Sequence, residues 1–454
     1  MKLKIRFLAL FACVLALALN VVAQSNEDNL IIDLNKHELL QKLYILPVLT
    51  DITPLDKGEF NEKYELFVTQ PVDHRQSEAG TFKQRVFVCH VGFDRPTLIV
   101  TEGYGAEYAK NARYREELSR LFNMNIIVVE YRYFLKSIPS PLNWDYLTVE
   151  NSMYDLHNIR TLFGTIYKGK WASTGVSKGG QTTMFYRAFF PNDVDVSVPY
   201  VAPLNKAVVD GRHEKFIAKQ VGTPEERLRV LNYQLEVLKR KPTLMPLFKA
   251  HCEANNFRYR CPVEEVYDYC VMEYAFALWQ YGTPISSIPN TDADDEALFR
   301  HLLDVSNPMY FSYITPYSAF DVQAARELGY YGYDTTPFKG LLTLKTTKDY
   351  LRRLMVPDGQ ENIKFQKALY QKTHKYLLKE DPKMLFIYGS IDPWTASGVT
   401  NPTYFKNKQN MKCFIEEGAS HRVKIGTMSP ENRSKILHTL STWLGEPVAE
   451  NSSH

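Results

Sequence analysis

The spacing of apolar residues changes character several times along this chain, and each change marks an element. From Lys63 onward, two short runs rich in aromatic and β-branched residues, 64–68 and 84–90, flank turn-forming residues and predict an antiparallel hairpin. The runs at 96–101 and 125–130 are nearly continuous in apolar residues, which suits strands covered on both faces of a parallel sheet. Residues 107–122 lie between them with helical spacing, so the three segments read as a βαβ unit. Helical spacing returns after Glu150 through Met153, Leu156, Ile159 and Phe163. It leads to a strand at 170–174, a helix at 181–190 and a short strand at 196–201.

Beyond Asn205 the strand pattern stops. Helix-forming stretches at 225–239 and 263–279 alternate with loops rich in Pro, Asn and Asp, until strands reappear at 384–388 and 412–416. Ser429-Pro430-Glu431 opens a last amphipathic helix through Ile436, Leu440, Trp443 and Leu444, with Ser placed to cap it and Pro in its first turn. The pattern divides the chain into a leader at 1–23, an extension at 24–60, sheet-bearing parts at 61–204 and 345–447, a mostly helical insertion at 205–344, and a tail at 448–454.

Composition narrows the class. A chain of 454 residues with 45% hydrophobic content is long enough for one large domain with an insertion, or for two domains. Its 54 basic and 51 acidic residues leave a formal charge of +3, so no long-range field points to nucleic acid or to an anionic membrane. Lys2, Lys4 and Arg6 precede an apolar run from Phe7, and Ala23 is followed by Gln24-Ser25-Asn26-Glu27, the order of a signal peptide cleaved after Ala23. A secreted or periplasmic protein is expected, with retention of the run as a membrane anchor as the alternative. Residues 10–13 resemble a lipoprotein cleavage box, but the apolar run continues past Cys13. No other segment is apolar for long enough to span a bilayer, so no stable membrane insertion is expected after cleavage.

Without the leader, Cys89, Cys252, Cys261, Cys270 and Cys413 remain, an odd number in a compartment that permits disulfides. The closeness of Cys252, Cys261 and Cys270 favours one local bridge, Cys252 to Cys261 first. Their spacing does not suit a zinc site, and no metal is expected.

The candidate chemistry centres on Gly175-Val176-Ser177-Lys178-Gly179, which follows a predicted strand and precedes a predicted helix. A sharp strand-to-helix turn needs flanking residues without Cβ; it lifts the serine above the sheet and aims the next backbone N–H, that of Lys178, at the substrate. A hydroxyl is a weak nucleophile, so it needs a base and an oxyanion site. In an α/β-hydrolase the acid and then the histidine follow later in the chain, each after a strand. Asp392 in Tyr388-Gly389-Ser390-Ile391-Asp392-Pro393-Trp394 and His421 in Gly418-Ala419-Ser420-His421 meet that order. A second oxyanion donor, Gly103 or Tyr104, is expected from the loop Glu102-Gly103-Tyr104-Gly105 after the strand at 96–101. The predicted fold class is therefore α/β, an α/β-hydrolase sheet with an inserted, mostly helical cap. The predicted chemistry is acyl transfer at Ser177 with no cofactor.

With these residues in place the chain resembles the secreted bacterial tripeptidyl aminopeptidases, relatives of the prolylcarboxypeptidase and dipeptidyl peptidase II group of serine peptidases. The resemblance rests on Gln70-Pro71-Val72-Asp73-His74, Thr81-Phe82-Lys83-Gln84-Arg85, Thr101 to Gly105, Glu130-Tyr131-Arg132-Tyr133-Phe134 with Ser137 and Pro139, Lys170-Trp171 through Gly180, and Gly389 through Trp394. It implies a triad of Ser177, Asp392 and His421, a helical cap between sheet strands, and release of short peptides with a preference for proline next to the cut. Dipeptide and tripeptide release both stay open. Lys178 differs from the residue at that place in the eukaryotic group, so the chain looks nearer the bacterial branch.

Peptide substrates are the expected partners. A free amino terminus calls for carboxylates, and a proline pocket calls for aromatic walls. Candidates are Glu102 and Glu327 for the first, and Trp279, Tyr313, Tyr330 and Tyr331 for the second, Glu327 lying in a stretch similar to one in the related group. His74 and Arg132 are expected to hold structure. A carboxylesterase on the same scaffold and a non-catalytic peptide-binding protein are the competing readings, since a triad does not select amide over ester.

Overall fold

The computed structural model describes residues 37–313 and 315–449. The leader, Cys13 and residues 450–454 lie outside the described residues. The chain divides into two compact units, Met1–Thr50 and Asp51–His454. In the first, the helix Glu38–Tyr44 buries Leu39, Leu40 and Leu43. The first strand, Leu49–Pro54, begins at the end of the first unit, and all later elements belong to the second.

The strands are β1 (Leu49–Pro54), β2 (Glu62–Pro71), β3 (Thr81–His90), β4 (Thr97–Thr101), β5 (Asn125–Val129), β6 (Trp171–Val176), β7 (Val196–Tyr200), β8 (Met384–Gly389) and β9 (Met411–Glu416). They form one sheet in the order β1-β2-β3-β5-β4-β6-β7-β8-β9. The expected hairpin is β2 against β3, in register from Glu62 opposite His90 to Pro71 opposite Thr81. From β5 to β9 all pairings are parallel. Strands β4, β5, β7 and β8 are buried along their whole length, which is why their sequences lack a polar alternation. The helices Val149–Phe163 and Lys178–Phe189 supply the crossovers on either side of β6.

Two local expectations are corrected. Residues 107–122 do not form one helix: a short turn Glu107–Lys110 and the helix Glu117–Phe122 are separated by an irregular stretch. Asn111 starts that break by accepting the N–H of Arg113 on its side chain at 2.9 Å, a local bond that competes with helical pairing. At the last helix, Pro430–Leu444, Ser429 occupies the cap position without capping. Its hydroxyl turns to Glu416 at 3.2 Å instead.

Between β7 and β8 the helices Pro224–Lys239, Lys241–Ala254, Val263–Tyr281 and Asp295–Val305 build the helical insertion. Val263–Tyr281 is its axis, buried continuously from Val266 to Trp279. The core around it runs in sequence from Val208 to Leu344 and on through Tyr350 to Val356, and it also takes in Trp394. The expected Cys252–Cys261 bridge is absent, and all five cysteines of the described residues are free. Cys252 is buried within the helix Lys241–Ala254 and its sulfur accepts the Tyr259 hydroxyl at 3.3 Å, while Cys261 lies half-buried before the next helix.

Candidate active site

Ser177 sits between β6 and the helix Lys178–Phe189 at φ 58°, ψ −119°, a conformation that costs a serine about 1–3 kcal/mol. The neighbouring backbone enforces it. A Cβ on Gly175 would lie 2.3 Å from the Gly179 carbonyl oxygen, and one on Gly179 would lie 2.8 Å from that of Thr101. The Ser177 N–H donates to the Tyr200 carbonyl at 3.0 Å, which ties the turn to β7.

Asp392 follows β8, is fully buried, and accepts the Trp394 N–H on Oδ1 at 3.1 Å. Its Oδ2 lies 2.6 Å from Nδ1 of His421 on the loop after β9. A carboxylate oxygen there can only accept, so the proton belongs on Nδ1, and in the neutral imidazole Nε2 is then the acceptor. Nε2 is buried and makes no hydrogen bond within the protein. The His421 loop is fixed from the cap side, its N–H donating to the Gln280 carbonyl at 3.0 Å.

Ser177 and His421 line one cavity of about 600 Å³, together with Tyr104, Lys178, Tyr330 and Trp394. The Lys178 N–H lies in the first turn of its helix, where no intrahelical acceptor exists. Of the two other oxyanion candidates, the Gly103 N–H is turned to Glu102 Oε2 at 3.3 Å, and Tyr104 lines the cavity. Gly103 is needed for closeness: a Cβ there would lie 2.6 Å from Cβ of Lys178. The Lys178 ammonium, almost wholly buried, donates to the Gly103 carbonyl at 2.6 Å and lies 3.4 Å from the centre of the Tyr131 ring. Burial pushes its pKa well below the usual lysine value.

Of the residues expected to bind substrate, Tyr330 and Tyr331 line the cavity. Trp279 instead packs in the cap core, where its ring fills the space beside Gly222. Tyr313 lies under Arg260, 4.6 Å from ring centre to guanidinium. Glu102 accepts the Tyr108 hydroxyl, and burial raises its pKa to about 7. Glu327 accepts the N–H of Val149 at 2.6 Å, and burial raises it also to about 7. Neither carboxylate lines the cavity; both organise backbone.

The carboxylates that do line it are Glu273 and Asp321, which the sequence reading missed. Glu273 accepts the hydroxyls of Tyr331 at 2.9 Å and Tyr333 at 2.8 Å, and burial raises it to about 8. One signal was available for it: Glu273 is the single charged residue in the otherwise apolar and aromatic stretch 269–279.

Parallel strands flanked by helices, with a serine on a strained turn after a central strand and the cavity beneath a helical insertion, define the class of this protein as a capped α/β-hydrolase. Over residues 42–453 the sequence matches the PS-10 peptidase S37 family, and the chain belongs to it, as a serine-type peptidase. It is 28% identical over 389 residues to the prolyl tri/tetrapeptidyl aminopeptidase of Streptomyces mobaraensis, covering 83% of this chain and 79% of that protein. To the probable serine protease EDA2 of Arabidopsis thaliana it is 20% identical over 449 residues, covering 84% and 89%. The solved proline iminopeptidase of Mycobacterium smegmatis superposes with a TM-score of 0.36 at 13% identity, covering 87% of this chain and 99% of that one.

Proposed function

We propose that this protein is an exported serine exopeptidase that releases tripeptides or dipeptides from the amino termini of peptides, cutting next to proline. The observation that carries the chemistry is the buried Asp392–His421 pair at 2.6 Å opening on the cavity that Ser177 also lines. His421 Nε2 takes the proton of Ser177 Oγ as that oxygen adds to the scissile carbonyl. The N–H groups of Lys178 and Tyr104 receive the oxyanion. His421 then returns the proton to the leaving amine, and water hydrolyses the acyl-enzyme by the reverse path.

Proline next to the cut is supported by the aromatic walls of the cavity, Tyr104, Phe320, Tyr330 and Trp394, which suit a flat apolar ring, and by the likeness to the prolyl tri/tetrapeptidyl aminopeptidase of Streptomyces mobaraensis. Export is supported by the basic and apolar leader ending at Ala23. An amino-terminal sequence beginning at Gln24 in the mature protein checks it.

A fluorophosphonate probe followed by peptide mapping tests the nucleophile. The adduct is expected on Ser177 and is lost in Ser177→Ala. In Asp392→Asn, labelling slows by about 10³- to 10⁴-fold because the imidazole loses its orienting acceptor. Labelling that persists in Ser177→Ala would sink the assignment.

A further inference from the structure

The cavity offers more hydrogen-bond acceptors than acyl transfer at Ser177 uses. Asp321, only 2% exposed, lines it with Oδ1 unpartnered and has no ion-pair partner among the described residues. Asn205, 3% exposed, lines it too. Its amide nitrogen donates to the carbonyls of Leu328 at 3.3 Å and Gly329 at 3.1 Å, which leaves Oδ1 without a donor. Glu273, also buried, receives only tyrosine hydroxyls. All three residues line the cavity with Gly329, Tyr330 and Tyr331: Asn205 holds the Gly329 carbonyl, the ring of Phe320 beside Asp321 lies 5.5 Å from that of Tyr330, and Glu273 accepts the Tyr331 hydroxyl.

Buried acceptors without donors are costly, and buried carboxylates without a cation more so. Burial holds Glu273 and Asp321 toward their protonated forms, as expected where no cation offsets the desolvation. The group that satisfies such a recess carries several N–H donors, a positive charge and no acceptor. A primary ammonium has three donors and no acceptor.

We infer that Asp321, Glu273 and Asn205 form the subsite for the primary ammonium of a peptide's first residue, so that the enzyme counts its cut from that end. The inference rests on the exopeptidase reading above and adds the residues that impose it. A bound amino terminus supplies the missing donors, restores the carboxylates to their charged forms, and fixes how many residues reach from the recess to Ser177.

The test compares kcat/KM for a proline-containing peptide anilide with a free amino terminus and for its N-acetylated twin, in wild type and in Asp321→Asn. Fluorophosphonate labelling of Ser177 reports that the variant is folded, and Glu273→Gln carries the same comparison if Asp321→Asn does not label. The wild type is expected to favour the free peptide strongly, and the substitution to lower the free-to-acetylated ratio about 10- to 100-fold. A variant that labels yet keeps the wild-type ratio overturns the subsite while leaving the exopeptidase reading intact. Equal cleavage of both twins by the wild type overturns the exopeptidase reading itself. An acetylated peptide with lysine first that matches the free peptide would assign the recess to a side-chain ammonium and overturn the amino-terminal assignment.

Discussion

Lys178 acts through two atoms at once. In the proposed mechanism its backbone N–H receives the oxyanion, while its ammonium holds the Gly103 carbonyl at 2.6 Å and thereby the loop that carries Tyr104. The aromatic faces of Tyr131, Tyr104 and Phe134 surround that ammonium in place of a carboxylate. Lys178→Met keeps the chain length and the backbone donor but frees the loop. It is expected to lower kcat about 10- to 100-fold with a smaller change in KM, because the lost alignment matters mainly once the oxyanion forms. Steady-state kinetics on one peptide substrate checks it, and an unchanged kcat would remove the loop-holding role. At this scale the sequence was informative where chemistry demands a fixed local frame. The strand-to-helix turn at Ser177 and the pairing of Asp392 with His421 were legible because glycine spacing and chain order constrain them. Glu273, a lone charge in an apolar stretch, and Asp321 could not be joined to that frame, because they come from two cap helices whose meeting at one cavity depends on tertiary packing.

Elements explain why one of the expected binding residues lies elsewhere. The turn Ala324–Leu328 clamps the start of the helix Val149–Phe163: Arg326 donates to the carbonyls of Trp144 at 2.6 Å and Leu147 at 2.9 Å, and Glu327 takes the Val149 N–H. The acidic residue of that stretch is therefore a helix anchor, and the two tyrosines after it reach the cavity. Its titration gives a directional prediction. Burial raises the Glu327 pKa from 4.5 to about 7, so the folded state favours the proton. That contribution is full below about pH 4.5 and is lost as pH rises through about 7. Glu327→Gln does not titrate, so its Tm relative to wild type is expected to rise between pH 5 and pH 8. Thermal melts at the two pH values check this, and a constant difference would mean that Glu327 is not held toward its neutral form. The strands were legible because burial on both faces leaves an unbroken apolar run. The segment 107–122 was not, because the side chain of Asn111 competes locally with a helix that apolar spacing alone suggests.

Across the whole molecule, the stretches that carried the family resemblance form a buried polar frame under the site. Arg85, fully buried, pairs with Glu130, which also accepts the Ala106 N–H at 3.0 Å and the Ser137 hydroxyl at 2.9 Å, fastening the far end of the loop that carries Gly103 and Tyr104. Arg132 grips Asp155 through two bonds, at 2.7 and 2.8 Å, and His74 binds the same carboxylate at 2.7 Å. The structural role expected for His74 and Arg132 is thus met. Such charges are costly to bury and are tolerated when every member is paired. From the other side, the cap contributes both the Gln280 carbonyl that fixes His421 and the cavity wall bearing Glu273, from the single helix Val263–Tyr281. Sheet and cap together build the cavity that Ser177 and His421 line, in keeping with the exopeptidase proposed above. The most direct measurement of that claim is mass spectrometry of the products released from a long peptide with a free amino terminus and proline near it. The account predicts tripeptides or dipeptides from the amino-terminal end, ending at or next to proline and absent with Ser177→Ala; internal fragments, or no peptide cleavage by wild-type protein that the fluorophosphonate labels at Ser177, would contradict it.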